Sequence, residues 1–269
     1  MLGAIVGDIV GSVYEFRPLE GGWEDFPLFS EKSHFTDDTV MTIAVADALR
    51  RGYGKDGLHD LFIDSMHTFG RAWLTAGYGQ KFYRWLARRR RDPYNSFGNG
   101  SAMRVSPVGW AARSLAEAES LAAASAAVTH NHPEGIKGAQ AVAGAIFLAR
   151  SGTSKEVIRE YVTGTYCYDL SRPLAKIRVG YRFDETCQGS VPEAVTAFLE
   201  SGSFEEAIRK AVWLGGDADT QAAIAGSIAE AFYGGVPESI ATEALARLDE
   251  ALYESYLTWN LWLHNEHGA

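Results

Sequence analysis

Cysteine is scarce in this chain: Cys167 and Cys187 are its only two thiols in 269 residues. Two cysteines make neither a disulfide framework nor a thiolate metal site, so a reducing compartment is expected. Long hydrophobic runs are missing too. The opening segment, Met1 to Phe16, is apolar and glycine-rich, but it lacks a basic start and carries Asp8 and Glu15. It is unlike a secretory signal and too short to span a bilayer. The sequence therefore predicts a cytoplasmic protein with no membrane partner. Alternating strand patterns are rare, Arg178 to Phe183 being the best of them. No long Pro/Ser linker or low-complexity segment interrupts the chain. Nor is there an excess of positive charge. A net charge of −9 argues against a broad nucleic-acid surface and implies no obligatory nucleic-acid partner, while leaving room for a small basic pocket.

Helical periodicity is what the chain has in quantity. Val40, Met41, Ile43, Ala44, Ala48 and Leu49 recur on one face and stop near Gly52. Amphipathic helices are predicted over 58–73, 80–91, 114–128, 135–150, 192–199 and 204–214. Another runs over about 220–233, closed by Gly234-Gly235, and a last helical region follows Pro237. With brief connections throughout, the expectation is a single all-α domain over residues 1–269. The stretch from Pro18 to Phe35 is the longest irregular one before Arg91, and long loops in compact domains tend to be functional.

That loop leads into Thr36-Asp37-Asp38-Thr39, echoed about two thirds of the chain later by Asp217-Ala218-Asp219-Thr220. Each cluster opens an apolar helical run. One reading is a helix cap, because Thr or Asp accepts orphan backbone N–H bonds and acids suit the positive helix end. The other is an oxygen-lined site for divalent cations, since gathered carboxylates repel unless cations compensate them. Spacing alone leaves both open. Glu15 reads either as an exposed acid at a helix end or as a carboxylate held near metals, as ligand or base. Gly3, Gly7 and Gly11 repeat every four residues and give a smooth helix face that allows another backbone close by.

Ser96-Phe97-Gly98-Asn99-Gly100-Ser101 is a small-residue loop whose amides can cradle phosphate while Phe97 stacks on a base; as a glycine-rich turn it is also commonplace. It matches neither the phosphate loop with a trailing Gly-Lys-Ser/Thr nor the dinucleotide fingerprint. His130 and His132 lack the further ligands of a zinc site, and a polar helix start with Pro133 explains them equally well, with His130 left as a ligand contact. Arg88 to Arg91, with Lys81 and Arg84, fit a solvated helix C-terminus. Tyr14, Trp23, Tyr181 and Phe183 read as core or as pocket walls.

Taken in order, Gly3-Ala-Ile-Val-Gly-Asp-Ile-Val-Gly-Ser-Val-Tyr-Glu15, Phe35-Thr-Asp-Asp-Thr39, Ser96-Phe-Gly-Asn-Gly-Ser-Ala-Met-Arg104, Thr129-His130 and Gly215-Gly-Asp-Ala-Asp-Thr220 resemble the ADP-ribosylglycohydrolase family. The resemblance implies a compact all-α fold with two divalent ions, Mg²⁺ or Mn²⁺. It places Thr36, Asp37, Asp38, Asp217, Asp219 and Thr220 as metal ligands. Glu15 matches the family's acid near the metals, and Glu15 or Asp38 would take a proton from the attacking water. Ser96, Phe97, Asn99 and Gly100 match the loop holding diphosphate and adenosine, and His130 a histidine on the distal-ribose side. Asn95 stands where some relatives have glycine, and Ala218 where members often carry Ser or Thr. The implied activity is hydrolysis of the glycosidic bond between ADP-ribose and an acceptor: a protein, a nucleic acid or a small molecule. Rival expectations are a metal-dependent phosphohydrolase of nucleotide diphosphates and a catalytically inactive ADP-ribose-binding protein.

Overall fold

Capping side chains set where many of the helices begin. In the computed structural model, which describes residues 1–17 and 19–267, the chain forms fifteen helices and no named strand. The predicted loop start at Pro18 lies outside the described residues. The first half contains α1 (Leu2–Gly11), α2 (Asp37–Gly52), α3 (Leu58–Ala72), α4 (Gln80–Ala87), α5 (Gly100–Met103), α6 (Ser106–Ala111) and α7 (Leu115–Ala127). It continues with α8 (Pro133–Arg150), α9 (Lys155–Tyr166), α10 (Leu174–Arg178), α11 (Cys187–Leu199) and α12 (Phe204–Leu214). The last three are α13 (Ala218–Tyr233), α14 (Glu238–Leu245) and α15 (Glu250–His267). Ser114, Ser154, Thr186 and Ser203 each accept a first-turn amide with the side-chain oxygen, as N-caps do. Gly234, left-handed at φ 79°, closes α13.

All ten residues of α1 are buried, and so is almost every residue of α13 through Ala231. Asp8 is the one polar side chain of α1, and those of α13 from Asp219 to Ser227 are buried with the rest, so neither helix has a broad solvent face; they sit at the centre with the other helices around them. Their backbones run close together because α1 presents Gly3, Gly7 and Gly11. A Cβ on Gly7 would lie 2.1 Å from the Ala222 carbonyl oxygen, and one on Gly11 2.4 Å from the Asp219 Cα. The Glu230 carboxylate ties the far end by accepting from the backbone N–H groups of Leu2 (3.1 Å) and Gly3 (2.8 Å). This contact places Asp8 of α1 beside the start of α13. A contiguous cluster of buried apolar side chains runs from Met1 to Trp259.

The expected all-α class is observed, with corrections in detail. Arg178 to Phe183 is no strand: Arg178 ends α10, Gly180 turns the chain at φ 88°, and the rest is irregular. The helix expected over 80–91 stops at Ala87, leaving Arg88 to Arg91 outside it. The helix expected from Pro192 begins at Cys187, with the proline inside it. α1 ends at Gly11, so Glu15 sits in the turns beyond it and not at a helix end. No helix among the described residues is long and apolar enough to cross a membrane.

Candidate active site

The two acidic clusters, distant in sequence, meet because α1 packs between the helices they open. Asp8, alone among charged residues in α1, accepts four hydrogen bonds: from the Thr36 amide (2.9 Å) and hydroxyl (2.6 Å), and from the Thr39 amide (3.0 Å) and hydroxyl (2.5 Å). It thereby anchors the first turn of α2. Thr36 is the N-cap of α2, accepting from the Asp38 amide at 3.4 Å while its own proton goes to Asp8. Across the site, the Thr220 hydroxyl donates to Asp38 Oδ2 at 3.2 Å. Both threonine protons are thus directed at carboxylates, which leaves oxygen lone pairs for a cation.

Two groups of three carboxylates bring oxygens within 4.8 Å of one another: Asp8, Asp38 and Asp219, and Glu15, Asp217 and Asp219. Asp219 belongs to both. No lysine or arginine forms an ion pair with any of these acids among the described residues. Burial therefore pushes their pKa values up, with mutual repulsion adding to it. Asp37, Asp38 and Asp219 rise well above the usual carboxylate range. Asp8 is raised by burial against the four hydrogen bonds it accepts. Asp217 is raised to about 6, and half-buried Glu15 to about 7, by burial and then by Asp219 and Asp8. Asp38 Oδ1 is buried with no hydrogen-bond partner. An orphaned carboxylate oxygen within a cluster of hard oxygen donors is the chemistry a divalent cation requires, so these residues fit divalent metal ions.

A cavity of about 500 Å³ is lined by these acids and by the Ser96 to Gly100 loop, with Phe183, His34 and Lys81 also on its wall. Ser96, Phe97, Asn99, Gly100 and His130, together with Thr36, Asp37, Asp38, Asp217, Asp219, Thr220 and Glu15, all line it, so every residue expected at the site is brought to one cavity. Tyr14, Trp23 and Tyr181 do not line it. Phe97 is exposed at 42% and free to stack, apart from an edge contact with His132. Asn95, before the loop, has φ 55°, the left-handed conformation that suits glycine or asparagine. The Asn99 amide is otherwise committed: its Nδ2 donates to Asp217 Oδ2 (2.7 Å) and to Ser190 Oγ (3.0 Å). Its side chain thus braces an acid of the cluster. Its backbone N–H donates to the Glu185 carbonyl at 2.8 Å, within the isolated bridge between Gly98 and Thr186.

His130 is buried behind the loop, and a Cβ on Gly100 would lie 3.2 Å from its Nε2. Its Nδ1 meets Thr129 Oγ1 at 2.7 Å, and Arg104 Nη2 donates to that same oxygen at 2.9 Å. Burial and the Arg104 charge keep His130 well below its ordinary pKa, so it is neutral. His132 instead caps α8, its Nδ1 accepting from the Glu134 amide at 3.1 Å.

Two residues at the site were missed in the sequence, Asp8 and Arg104. A lone charge within Leu-Gly-Ala-Ile-Val-Gly-Asp-Ile-Val-Gly was a usable signal, because an acid on an all-apolar helix must find partners inside the protein. Arg104, fully buried and lowered to about 10 by burial, gave none beyond its place after the loop.

Fold and site define the class: an all-helical protein whose cavity joins a small-residue loop to a buried carboxylate cluster able to hold divalent cations. Residues 1–266 match the ADP-ribosylglycohydrolase family, and the chain belongs to it. It is 28% identical to the mouse ADP-ribosylhydrolase ARH3, covering 89% of this chain and 84% of that one. Identity to the ADP-ribosylarginine hydrolase Tri1 of Pseudomonas putida is 29%, over 87% and 69% of the two chains. The Rhodospirillum rubrum ADP-ribosyl-[dinitrogen reductase] glycohydrolase is 26% identical over 92% and 88%. A solved structure described as an ADP-ribosylglycohydrolase-related protein complex superposes with a TM-score of 0.71 at 27% identity, covering 98% of this chain and 96% of that one.

Proposed function

We propose that the protein hydrolyses the glycosidic bond between C1″ of ADP-ribose and an acceptor. The observation that carries this reading is the union, in one cavity, of the cation-ready acids with the loop that presents Phe97. Family membership and the names of three similar proteins support it. Thr36, Asp37, Asp38, Asp217, Asp219 and Thr220 would hold two divalent ions, with Asp8 and Asn99 fixing α2 and Asp217 behind them. Such ions, when bound, supply Lewis acidity at ribose hydroxyls and lower the pKa of a coordinated water. Glu15, with a pKa close to neutral and lying beside Asp217 and Asp219, is the group suited to take the proton from water as its oxygen bonds to C1″. The electrons of the breaking C1″ bond go to the acceptor atom, which leaves with a proton. Ser96 and the Gly100 N–H would hold the diphosphate, Phe97 the adenine, and neutral His130 would lie on the distal-ribose side, spending binding energy away from the reacting carbon.

The test is incubation of purified protein with differently linked ADP-ribosylated proteins, nucleic acids and small molecules, with and without chelator. Release of free ADP-ribose is expected, lost with chelator and lost in Asp219→Asn, which remains folded. AMP as the product would replace this reading with pyrophosphate cleavage, and tight ADP-ribose binding without turnover under both metals would replace it with a binding role.

A further inference from the structure

Apart from the acidic cavity, a second one of about 470 Å³ opens between the N-terminal turns of α8 and α11 and the loop that follows α9. Three of its side chains bury an oxygen that has no hydrogen-bond partner: Tyr168 Oη, Glu134 Oε2 and Glu193 Oε2. Tyr168 itself is only 4% exposed. Buried polar atoms are nearly always satisfied, so three orphans on the wall of one cavity call for a partner. The charges show which kind. With Glu193 ionised, Glu134, Asp169 and Glu193 supply three acids against the two bases Lys137 and Arg172, leaving one negative charge in excess. Lys137 is already engaged, its Nζ 4.3 Å from the Tyr168 ring centroid and 3.4 Å from Glu134 Oε2, a charge contact that leaves that oxygen without a hydrogen bond.

A bare metal ion does not fit. Among the described residues, three ligand atoms converge only in the acidic cavity, never here. The volume suits a small molecule, and buried Ile177 and Pro192 add apolar wall.

We propose that this cavity is a second ligand site for a small organic monocation, an ammonium or guanidinium on a short aliphatic stem. Its N–H groups donate to Glu134, Glu193 and the Tyr168 hydroxyl oxygen, and its stem lies against Ile177 and Pro192. Burial pushes Glu193 up to about 7, opposed by Arg172 and reinforced by Asp184 and Asp169. Cys187, buried at the start of α11, is pushed up to about 12 and stays a neutral thiol. A cation favours ionised Glu193, so its affinity rises with pH up to about 7 and binding below that releases a proton.

The experiment titrates the full chain, its acidic cavity filled with Mg²⁺, with n-butylamine and methylguanidine by calorimetry and amide NMR. n-Butanol and butyrate serve as neutral and anionic controls. Both cations are expected to bind at millimolar concentration and the controls not to. Glu193→Gln and Tyr168→Phe should each weaken binding about tenfold, the loss of one charge-assisted or buried hydrogen bond, whereas Asp219→Asn leaves it unchanged. Binding that survives both substitutions, follows Asp219→Asn, or is matched by n-butanol overturns the proposal, as does a wild-type chain that binds neither cation.

Discussion

Thr36 shows how one side chain can serve two purposes that compete in the sequence. It is the N-cap of α2, and its hydroxyl proton points at Asp8, which leaves the oxygen's remaining lone pair toward the acids. The cap and the proposed cation site are therefore compatible in one arrangement: the cap orients an oxygen that a cation would use. The clusters and Glu15 were legible from residue types and order. Asp8 was not, because its part depends on four donors at residues 36 and 39, which only the packing of α1 delivers. Glu15 carries the prediction at this scale. In metal-free protein its carboxyl should titrate at about 7, as burial and the charges of Asp219 and Asp8 dictate. Divalent ions screen those charges, so added Mg²⁺ should move the titration down. The acid limb of kcat/KM, rising with pH as the base ionises, should follow the metal-bound value. Glu15→Gln should remove that limb and lower kcat roughly 10²–10⁴-fold. Carboxyl NMR with and without Mg²⁺, set beside the pH–rate profile, tests this, and an acid limb that persists in Glu15→Gln rules Glu15 out as the base.

Among elements, the pairing of α1 with α13 decides whether the site exists, since α1 carries Asp8 and α13 carries Asp219 and Thr220. The glycine spacing at 3, 7 and 11 foretold a close neighbour without saying which helix it would be. Gly7→Ala tests the contact: its Cβ would stand 2.1 Å from the Ala222 carbonyl oxygen, with backbone on both sides, so the helices must separate. The expected cost is about 1–3 kcal/mol of unfolding free energy by urea denaturation. Mg²⁺ affinity should fall as well, because separation pulls Asp8 from Asp219; full metal affinity in a destabilised Gly7→Ala would refute that link. Elsewhere the helices that went unread have physical reasons. α9 buries only Ile158, Val162 and Tyr166, too narrow a stripe to stand out. Pro192 read as a first-turn proline, yet α11 tolerates it in its second turn, where Thr186 has already capped the helix.

For the molecule as a whole, the acidic centre sets stability against pH, and the direction follows from the shifts. Asp8, Asp37, Asp38, Asp217 and Asp219 have folded pKa values above 3.8, and Glu15 above 4.5. Between those unfolded values and the raised ones, the folded state holds more protons, so metal-free stability falls as pH rises through the window. The window extends to about 6 for Asp217, about 7 for Glu15, and higher for the most buried acids. His130 acts oppositely: held neutral by burial, it costs stability only below its ordinary 6.5. The comparison runs from there up to about pH 8, where the buried Met1 amino group, lowered from its ordinary 8.0, opposes the acids, so the difference between wild type and Asp219→Asn is the readout that isolates them. Over that range the chelated protein should lose Tm as pH rises, and Asp219→Asn, lacking one acid of the cluster, should lose less. Divalent ions bind the ionised cluster and should reverse the trend, adding about 2.7 kcal/mol at a hundredfold excess over Kd and more at the higher pH. Scanning calorimetry with chelator, Mg²⁺ and Mn²⁺ measures each of these. A chelated protein whose Tm climbs across the range, or is unmoved by either metal, would mean that the carboxylates are balanced by some other charge.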